Sequence, residues 1–417
     1  MRLHRLTRPG LMRLLIVLLI SALVTPQAWA WYHLWTAQQA LAQYHPEEAR
    51  EPLIKCQRVW RNRPSIHLLA ARAAWQDGDL LTALDQLRIA QRLSNGANDE
   101  TAFEWALIQA AGGNFPEVEE YLQKRADQSA ELAPLVWEAL IEGYLRVYRN
   151  PDAMACVTLW LRKQPENIRA LELRGKIFVN GKGLVRGADD YRKVLALDPT
   201  RKRTRWNLIT CLLNLGSYDE AIEHLELFAR ESPDNPDVQA RLARCYLMTQ
   251  RTMQAQQLLD AALEKNPNHG FCLRIRGQLA LAQKDPEQAE QYLRRAAGLL
   301  PEDYQTQWLL FEALRQQGKL EEAKLQQAKA DELKDRIERI GELQSRKLAE
   351  QPLDPALHYE MGLLMWQSGQ LDAGEQWMLR ALTLNPDHQL THAALAEHYE
   401  RQGNKALAEQ HRKRANQ

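Results

Sequence analysis

Three histidines near the C-terminal end of the chain have a spacing that could hold a metal ion. His388 and His392 are four residues apart, and His398 follows further along. Two imidazoles at positions i and i+4 lie on one face of a helix, where they can share a metal. No glutamate follows His388 as it does in the zinc proteases, and no third ligand is evident. We therefore expect packed or solvent-facing histidines, and the sequence predicts neither a metal nor another cofactor.

A glycine-rich segment at residues 180–187 has part of the composition of a phosphate-binding loop. Such a loop follows a β-strand and opens a helix, whereas this segment lies between two helical patterns. It is therefore interpreted as a turn between helices.

The five cysteines are the remaining candidates for chemistry. They show no CxxC spacing, and an odd number in a long chain is not a disulfide framework. Cys211 and Cys245 are 34 residues apart at equivalent positions. We expect both to be buried thiols, because equivalent helices pack about 8–10 Å apart and a disulfide needs Cα atoms within about 7 Å. With no catalytic group of residues in the sequence, the chain is predicted not to be an enzyme.

The composition excludes several functional classes. The 417 residues carry 54 Lys and Arg against 53 Asp and Glu, a net charge of +1. A chain without a basic excess is not predicted to bind nucleic acid. Apolar residues make up 45%, which is too many for a disordered chain and enough for a large folded core.

The N-terminal residues predict export from the cytoplasm. Four arginines and no acidic residue precede an apolar run at residues 14–24, and Ala28-Trp29-Ala30 follows this run. Positive charge before an apolar segment stays in the cytoplasm, so residues after about 35 are expected outside it. The arginines are Arg2, Arg5, Arg8 and Arg13.

Two interpretations of residues 1–32 remain open. One is a secretory signal peptide that is cleaved after Ala30, which would leave a periplasmic or secreted protein. The other is an uncleaved anchor, because residues 14–32 are just long enough to span a bilayer and aromatic side chains prefer its interface. The aromatic residues behind this second interpretation are Trp29, Trp31, Tyr32 and Trp35.

A 34-residue period runs through most of the remaining chain. A small residue stands twelve positions before each proline of the series, and in most units a large apolar residue stands eight before it. Each period holds two apolar-periodic stretches of about a dozen residues, long enough for about three helical turns. Neither helix could bury its apolar stripe alone, so the units must stack. The series comprises Pro165, Pro199, Pro233, Pro267 and Pro301, with Pro352 and Pro386 as a later pair.

This pattern resembles the tetratricopeptide repeat. One unit matches it at Trp137, Leu140, Tyr144, Ala153 and Pro165, and other units match in the same register. The resemblance implies an all-α fold, a right-handed α-solenoid of about ten helix–turn–helix repeats after the N-terminal hydrophobic segment. The chain looks most like the exported, N-terminally tethered bacterial proteins that consist almost wholly of such repeats.

Departures from the pattern divide the repeats into groups. Residues 33–131 are divergent units, 134–337 are a regular array, and 355–417 are the C-terminal units and a cap. No proline occurs from residue 303 to residue 351. Residues 319–350 are therefore interpreted as one long helix or two abutting helices, broken if anywhere at Gly341, and 338–354 as an inserted helix.

The resemblance also implies where a partner binds. In this family, positions 2, 5, 9, 12 and 13 of each first helix face a concave groove. The middle units hold five cations there, with acidic residues such as Glu138 and Glu142 further out. We expect an acidic or C-terminal carboxylate segment of another protein, because guanidinium groups bind carboxylates bidentately; a merely solvated helix face is the alternative. The five cations are Arg169, Lys176, Arg203, Arg244 and Arg274.

The sequence therefore predicts a non-catalytic interaction scaffold or assembly factor at the cell envelope. Its partner would be a protein or peptide, with the membrane contacted through the N-terminal segment and no nucleic acid or small-molecule substrate. The alternative is an accessory subunit of an envelope enzyme complex, or a metal-dependent hydrolase with an unrecognised site near His388, His392 and His398.

Overall fold

The computed structural model describes the backbone of residues 8–116 and 118–416, with side chains from Thr25 onward. These residues are helical and contain no β-strand. The contacts divide the chain into two compact units, Met1–Leu173 and Arg174–Gln417. Within each unit, consecutive helices form antiparallel pairs that stack on the next pair, which confirms the predicted all-α solenoid of helix–turn–helix repeats.

The first unit contains α1 (Arg8–Ala42), α2 (Pro46–Val59), α3 (Pro64–Gln76), α4 (Leu80–Leu93), α5 (Asp99–Ala111), α6 (Glu119–Gln128), α7 (Ala133–Arg146) and α8 (Asn150–Lys163). The unit boundary lies within α9 (Ile168–Asn180). The second unit contains α10 (Leu184–Leu197), α11 (Lys202–Leu215), α12 (Tyr218–Glu231), α13 (Pro236–Met248), α14 (Thr252–Lys265), α15 (Gly270–Ala282), α16 (Pro286–Leu299), α17 (Tyr304–Gln316), α18 (Leu320–Glu342), α19 (Leu348–Glu350), α20 (Pro355–Gln367), α21 (Leu371–Leu384), α22 (Gln389–Arg401) and α23 (Lys405–Ala415).

The apolar run at residues 14–24 lies outside the residues whose side chains the structure describes. Among the residues that are described in full, no helix is both long and apolar enough to cross a bilayer. The backbone of α1 is one helix from Arg8 through Pro26 to Ala42, so the boundary that the sequence places at residue 32 falls inside it. Residues 30–40 of α1 pack against α2 as the first helix of the first pair.

The periodic prolines end the second helix of each repeat, as predicted. Each proline stands two residues beyond the last helical residue, as Pro233 does after α12 and Pro267 after α14. Proline cannot continue a helix because it lacks an N–H. The small residues of the period lie where paired helices approach closely: Ala255 and Ala289 are fully buried, and a Cβ on Gly277 would lie 2.5 Å from Leu293 Cγ.

A recurring hydrogen bond joins the turn after four of the repeats to the next repeat. The fourth residue of several first helices is a buried polar residue whose side chain reaches the carbonyl oxygen six residues earlier. Gln239 Nε2 donates to Pro233 O at 2.5 Å and Gln307 Nε2 donates to Pro301 O at 3.0 Å. His358 Nε2 and His392 Nε2 each lie 2.8 Å from the corresponding oxygen, of Pro352 and Pro386. This side chain satisfies a carbonyl that has no partner in a helix.

The same hydrogen bond decides which side chain of α17 is buried. Trp137 and Trp160 of the earlier repeats are buried, but Trp308 is 39% exposed. The buried position beside it belongs to Gln307, which is fully buried and hydrogen-bonded to the turn. Trp308 packs instead against Phe311 on the same helix, with ring centroids 5.0 Å apart.

A π-helical turn at Leu343–Lys347 interrupts the long helix that follows the regular repeats. The sequence placed a possible break at Gly341, but this residue lies within α18. Leu348 N–H donates to Leu343 O, and both leucines are fully buried. In a regular α-helix, the side chains of Leu343 and Leu348, which are five residues apart, would point about 140° away from each other. The wider turn brings both leucines to the same side, which explains where the irregularity lies. The segment that the sequence treats as an inserted helix is thus a continuation of α18.

We predict that Gln239→Leu lowers the free energy of unfolding of the second unit by about 1–3 kcal/mol, because it leaves the Pro233 carbonyl without its donor. Gln239→His is the matched control, since histidine makes the same bond at positions 358 and 392. Urea unfolding of both variants measures the difference. Equal stability of the leucine and histidine variants would contradict the role of this bond.

Candidate partner-binding site

In the first unit, Arg169 on α9 is enclosed by carboxylates. Its Nε donates to Glu138 Oε1 at 2.7 Å, its Nη2 donates to Glu142 Oε1 at 3.0 Å, and Nη1 lies 3.6 Å from Glu172 Oε2. Glu138 is 1% exposed and also accepts from Gln76 Nε2 at 2.7 Å. Burial alone would lower the pKa of Arg169, but the three carboxylates outweigh it and hold the pKa above its usual value. Arg169 therefore joins helices within the unit, and Glu138 is buried instead of facing a groove.

In the second unit, α13 and α15 line a small, partly open pocket of about 50 Å³ that contains three arginines. Arg241 and Arg244 lie one turn apart on α13, and Arg274 lies on α15. We call this the arginine pocket; its other lining residues are Asp237, Ala240, Phe271 and Ile275.

Arg241 is the most unusual cation of the arginine pocket. It is half-buried, and its Cζ lies 5.0 Å from the centroid of the Trp206 ring. Burial lowers the pKa of Arg241 below its usual value; Asp237 opposes this shift, and the positive charges of Arg244 and Arg274 add to it. Within the described part of the chain, neither Arg241 nor Arg244 forms an ion pair. An anion that entered the pocket would relieve this electrostatic cost.

Arg274 forms the fixed wall of the arginine pocket. It is 8% exposed, and its Nη1 donates to Asp303 Oδ2 at 2.8 Å and Oδ1 at 3.0 Å. Its Cζ lies 5.0 Å from the ring of Phe271. Its Nε is buried without a hydrogen-bond partner among the described residues. The guanidinium is thus held in place but keeps one unsatisfied donor.

The structure brings together two of the five cations that the sequence predicted for a groove, Arg244 and Arg274. Lys176 and Arg203 interact with other groups of the chain, and Arg169 is held by its carboxylates. The sequence analysis missed Arg241, because the register positions it used do not include it. Its spacing of three residues from Arg244, which places both on one helix face, was the available signal.

The C-terminal histidines contact other side chains and the backbone. His392 Nδ1 lies 2.8 Å from His411 Nδ1 on α23, whereas two nitrogens bound to one zinc at about 2.0–2.1 Å would be roughly 3.3 Å apart. Because His392 Nε2 donates to Pro386 O, its Nδ1 accepts the proton of His411. Among the described residues, no group of three or more His, Cys, Asp or Glu could hold a metal.

The other two predicted histidines also have structural contacts. His388 Nδ1 lies 2.7 Å from Thr391 Oγ1 at the start of α22, and the ring of His398 stacks on Trp366 with centroids 4.5 Å apart. The His392–His411 contact was missed because the two residues are 19 positions apart and only the pairing of α22 with α23 brings them together.

The remaining candidates for chemistry lie where the sequence places them. Residues 181–183 form the turn between α9 and α10. Cys211 and Cys245 are free, buried thiols, and burial raises the pKa of Cys245 to about 11. A thiol with a raised pKa is a poor nucleophile at neutral pH.

Family models described as tetratricopeptide repeat match residues 186–236, 218–271, 276–332 and 355–388. The TPR repeat-containing protein PA4667 of Pseudomonas aeruginosa is 28% identical over 186 residues, which are 43% of this chain and 28% of that protein. The match thus spans less than a third of the relative's length.

Solved structures of repeat proteins are similar in part. A tetratricopeptide repeat protein from Parabacteroides merdae is 19% identical with a TM-score of 0.35, covering 60% of this chain and 98% of its own. YrrB, described as a TPR protein with an unusual peptide-binding site, is 17% identical with a TM-score of 0.28, covering 50% of this chain and 98% of its own.

We predict that the C-terminal helix pair loses stability as the pH falls. Burial, His392 and Arg414 lower the pKa of His411 below its usual value of 6.5. The unfolded chain therefore binds the proton first, so this stability is present above about pH 6.5 and is lost below it. Hydrogen exchange of the α23 amides at pH 7.5 and 5.5, corrected for intrinsic rates, measures the effect.

Two variants separate protonation from packing in this prediction. His411→Gln keeps an N–H donor for His392 and cannot titrate, so its α23 should show a smaller loss of protection at low pH. His411→Phe removes the donor and should expose α23 at both pH values. The same pH dependence in the wild type and in His411→Gln would contradict the prediction.

Proposed function

We propose that this chain, a tetratricopeptide-repeat protein, is a non-catalytic scaffold that holds a carboxylate-bearing segment of a partner protein in the arginine pocket. Stacked helix pairs of this kind present extended surfaces to protein or peptide segments. The observation that carries the proposal is the half-buried, unpaired Arg241 beside Arg244 and Arg274. Arg241 forms no ion pair among the described residues and Asp237 offsets its charge only in part, whereas Arg169 in the first unit is paired with Glu138 and Glu142.

The shape and chemistry of the pocket favour a carboxylate. Guanidinium groups donate two parallel hydrogen bonds to such a group. Phe271 and Ile275 provide apolar contacts for the stem of an aspartate, a glutamate or a C-terminal residue. Of the five predicted groove cations, Arg244 is the best placed to contact a partner, since Arg274 is already bound to Asp303.

We also infer that the repeats work outside the cytoplasm. The four N-terminal arginines and the apolar run at residues 14–24 support this location. A scaffold for envelope proteins would need its binding surface on that side of the membrane.

We predict that Arg244→Glu weakens the binding of an acidic peptide by about tenfold or more, since a charged hydrogen bond is lost and a repulsive charge is added. Lys193→Glu is the matched control, because it makes the same charge change at an exposed position of α10. Fluorescence anisotropy with a labelled peptide of acidic sequence, bearing either a free C-terminal carboxylate or an amide, gives the affinities.

The two peptides also identify the group that is bound. Preference for the free carboxylate would assign the pocket to a chain terminus, and equal binding would assign it to an acidic side chain. If Arg244→Glu and Lys193→Glu reduce affinity equally, or if neither peptide binds, the pocket is not the partner site.

The location has a separate test. Fusion of alkaline phosphatase after Gln417 should give an active enzyme, because that enzyme folds only in an oxidising compartment. Fusion of a reporter that is active only in the cytoplasm should be silent. A variant lacking residues 1–24 serves as the control and should reverse both results. Cytoplasmic reporter activity from the full chain would refute export.

A further inference from the structure

The outer face of α1 carries four exposed aromatic side chains close together. Their exposed fractions are 42% for Trp29, 57% for Trp31, 60% for Tyr32 and 58% for Trp35. We call this group the aromatic collar. Its residues span six helical steps, or about 9 Å along the helix axis. No acidic or basic side chain other than His33 lies between Trp29 and Trp35.

The opposite face of α1 is part of the core of the first unit. Ala30 and Ala37 are fully buried and Leu34 is 8% exposed, all in contact with the core that α2 shares. At about 100° per residue, the collar covers the arc of the helix that faces away from these residues. Apart from Trp31, which meets the buried Trp60 edge to face, the collar lies away from the core, and its exposure calls for another contact.

We propose that the aromatic collar lies in the membrane–water interface, so that α1 is both the membrane segment and the first helix of the repeat array. The inference deepens the location given above and rests on it. Indole and phenol side chains prefer the interface because one end is apolar and the other forms hydrogen bonds. The interfacial layer on each side of a bilayer is about 5–8 Å thick, close to the 9 Å height of the collar.

The position of the collar in the chain points to lipid as its occupant. The apolar run at residues 14–24 directly precedes the collar on the same continuous helix. If residues 14–32 span the hydrocarbon, a length of about 28 Å, the collar lies at the outer end of this span, from about 4.5 Å inside the hydrocarbon edge at Trp29 to about 4.5 Å beyond it at Trp35. A protein partner would not require this juxtaposition.

The same contacts argue that residues 1–30 are retained. Trp60 Nε1 donates to Gln27 Oε1 at 2.6 Å, and Cys56 Sγ donates to Ala30 O at 3.3 Å. Trp31 and Trp60 also meet edge to face with centroids 5.2 Å apart. Cleavage after Ala30 would remove Gln27 and the buried Ala30, and with them both hydrogen bonds. The first helix pair is thus built with the segment that a signal peptidase would discard.

A pair of labelled variants tests the collar in the full chain. Tyr32→Cys and Gln39→Cys are seven residues apart on the same exposed face of α1, about 10.5 Å along the axis. Each is labelled with an environment-sensitive fluorophore. The native thiols interfere little, because four are buried and burial raises the pKa of the fifth, Cys156, to about 12.

The labelled protein is reconstituted into phosphatidylethanolamine–phosphatidylglycerol vesicles that contain a lipid brominated near its headgroup end. We expect quenching at position 32 to exceed that at position 39 by about twofold or more, because only position 32 lies at interface depth. Absence of lipid quenching at position 32 overturns the proposal and assigns the collar to a protein contact. Equal quenching at both positions also overturns it, because the helix would then lie deeper or along the surface.

Intact-mass measurement of the protein extracted from membranes tests retention separately. A mass that includes residues 1–30 supports the shared helix, and a chain that begins at Trp31 overturns it. The vesicle experiment uses purified protein and does not depend on export, so a failure of the collar is distinguishable from a failure of the proposed location.

Discussion

The repeat architecture depends on a carbonyl group that lies in the turn between repeats and therefore has no helical partner. In the regular and C-terminal repeats the second helix ends two residues before a proline, whose own carbonyl is this group, and the chain turns at once into the next first helix. In several repeats a buried glutamine or histidine at the fourth position of that helix donates to the proline carbonyl. One side chain thus satisfies the turn and fixes the start of the next repeat. Histidines that could have served chemistry are used for this structural purpose.

Several arginines pair with a carboxylate of a neighbouring repeat. Arg192 binds Glu220 and Arg294 binds Glu322, each from one second helix to the next. Arg169 on α9 binds Glu138 of the preceding first helix, and Arg274 on α15 binds Asp303 at the start of the next first helix. The near-zero net charge of the whole chain reflects this pairing. Against that background, Arg241 is one of the half-buried arginines that form no ion pair among the described residues, and two further guanidinium groups lie beside it.

The repeats were predictable from sequence because key residue types recur at a strict interval of 34 residues. Prolines and alanines at fixed intervals predicted where helices end and where paired helices pack closely. Cys211 and Cys245 were correctly expected to be buried thiols. The side-chain pairings were not predictable in this way. Arg169 meets Glu138 and His392 meets His411 only after helices have stacked, since 31 and 19 residues separate them. The π-helical turn also escaped prediction, because Gly341 is a stronger local signal than the five-residue spacing of two leucines.

The balance of charge in the arginine pocket limits the anion that it can accept. Three guanidinium groups face the pocket, but Asp303 holds Arg274 and Asp237 lies among the lining residues, so the sum is 3 − 2 = +1. A single carboxylate neutralises this charge, whereas a phosphate brings about −1.5 to −2 and would leave an excess beside Asp237. Trp206 and Phe271 cover two of the guanidinium faces, which leaves their edges for in-plane hydrogen bonds. Both features favour a carboxylate on a protein chain, and they follow from the same helix stacking that holds the repeats together.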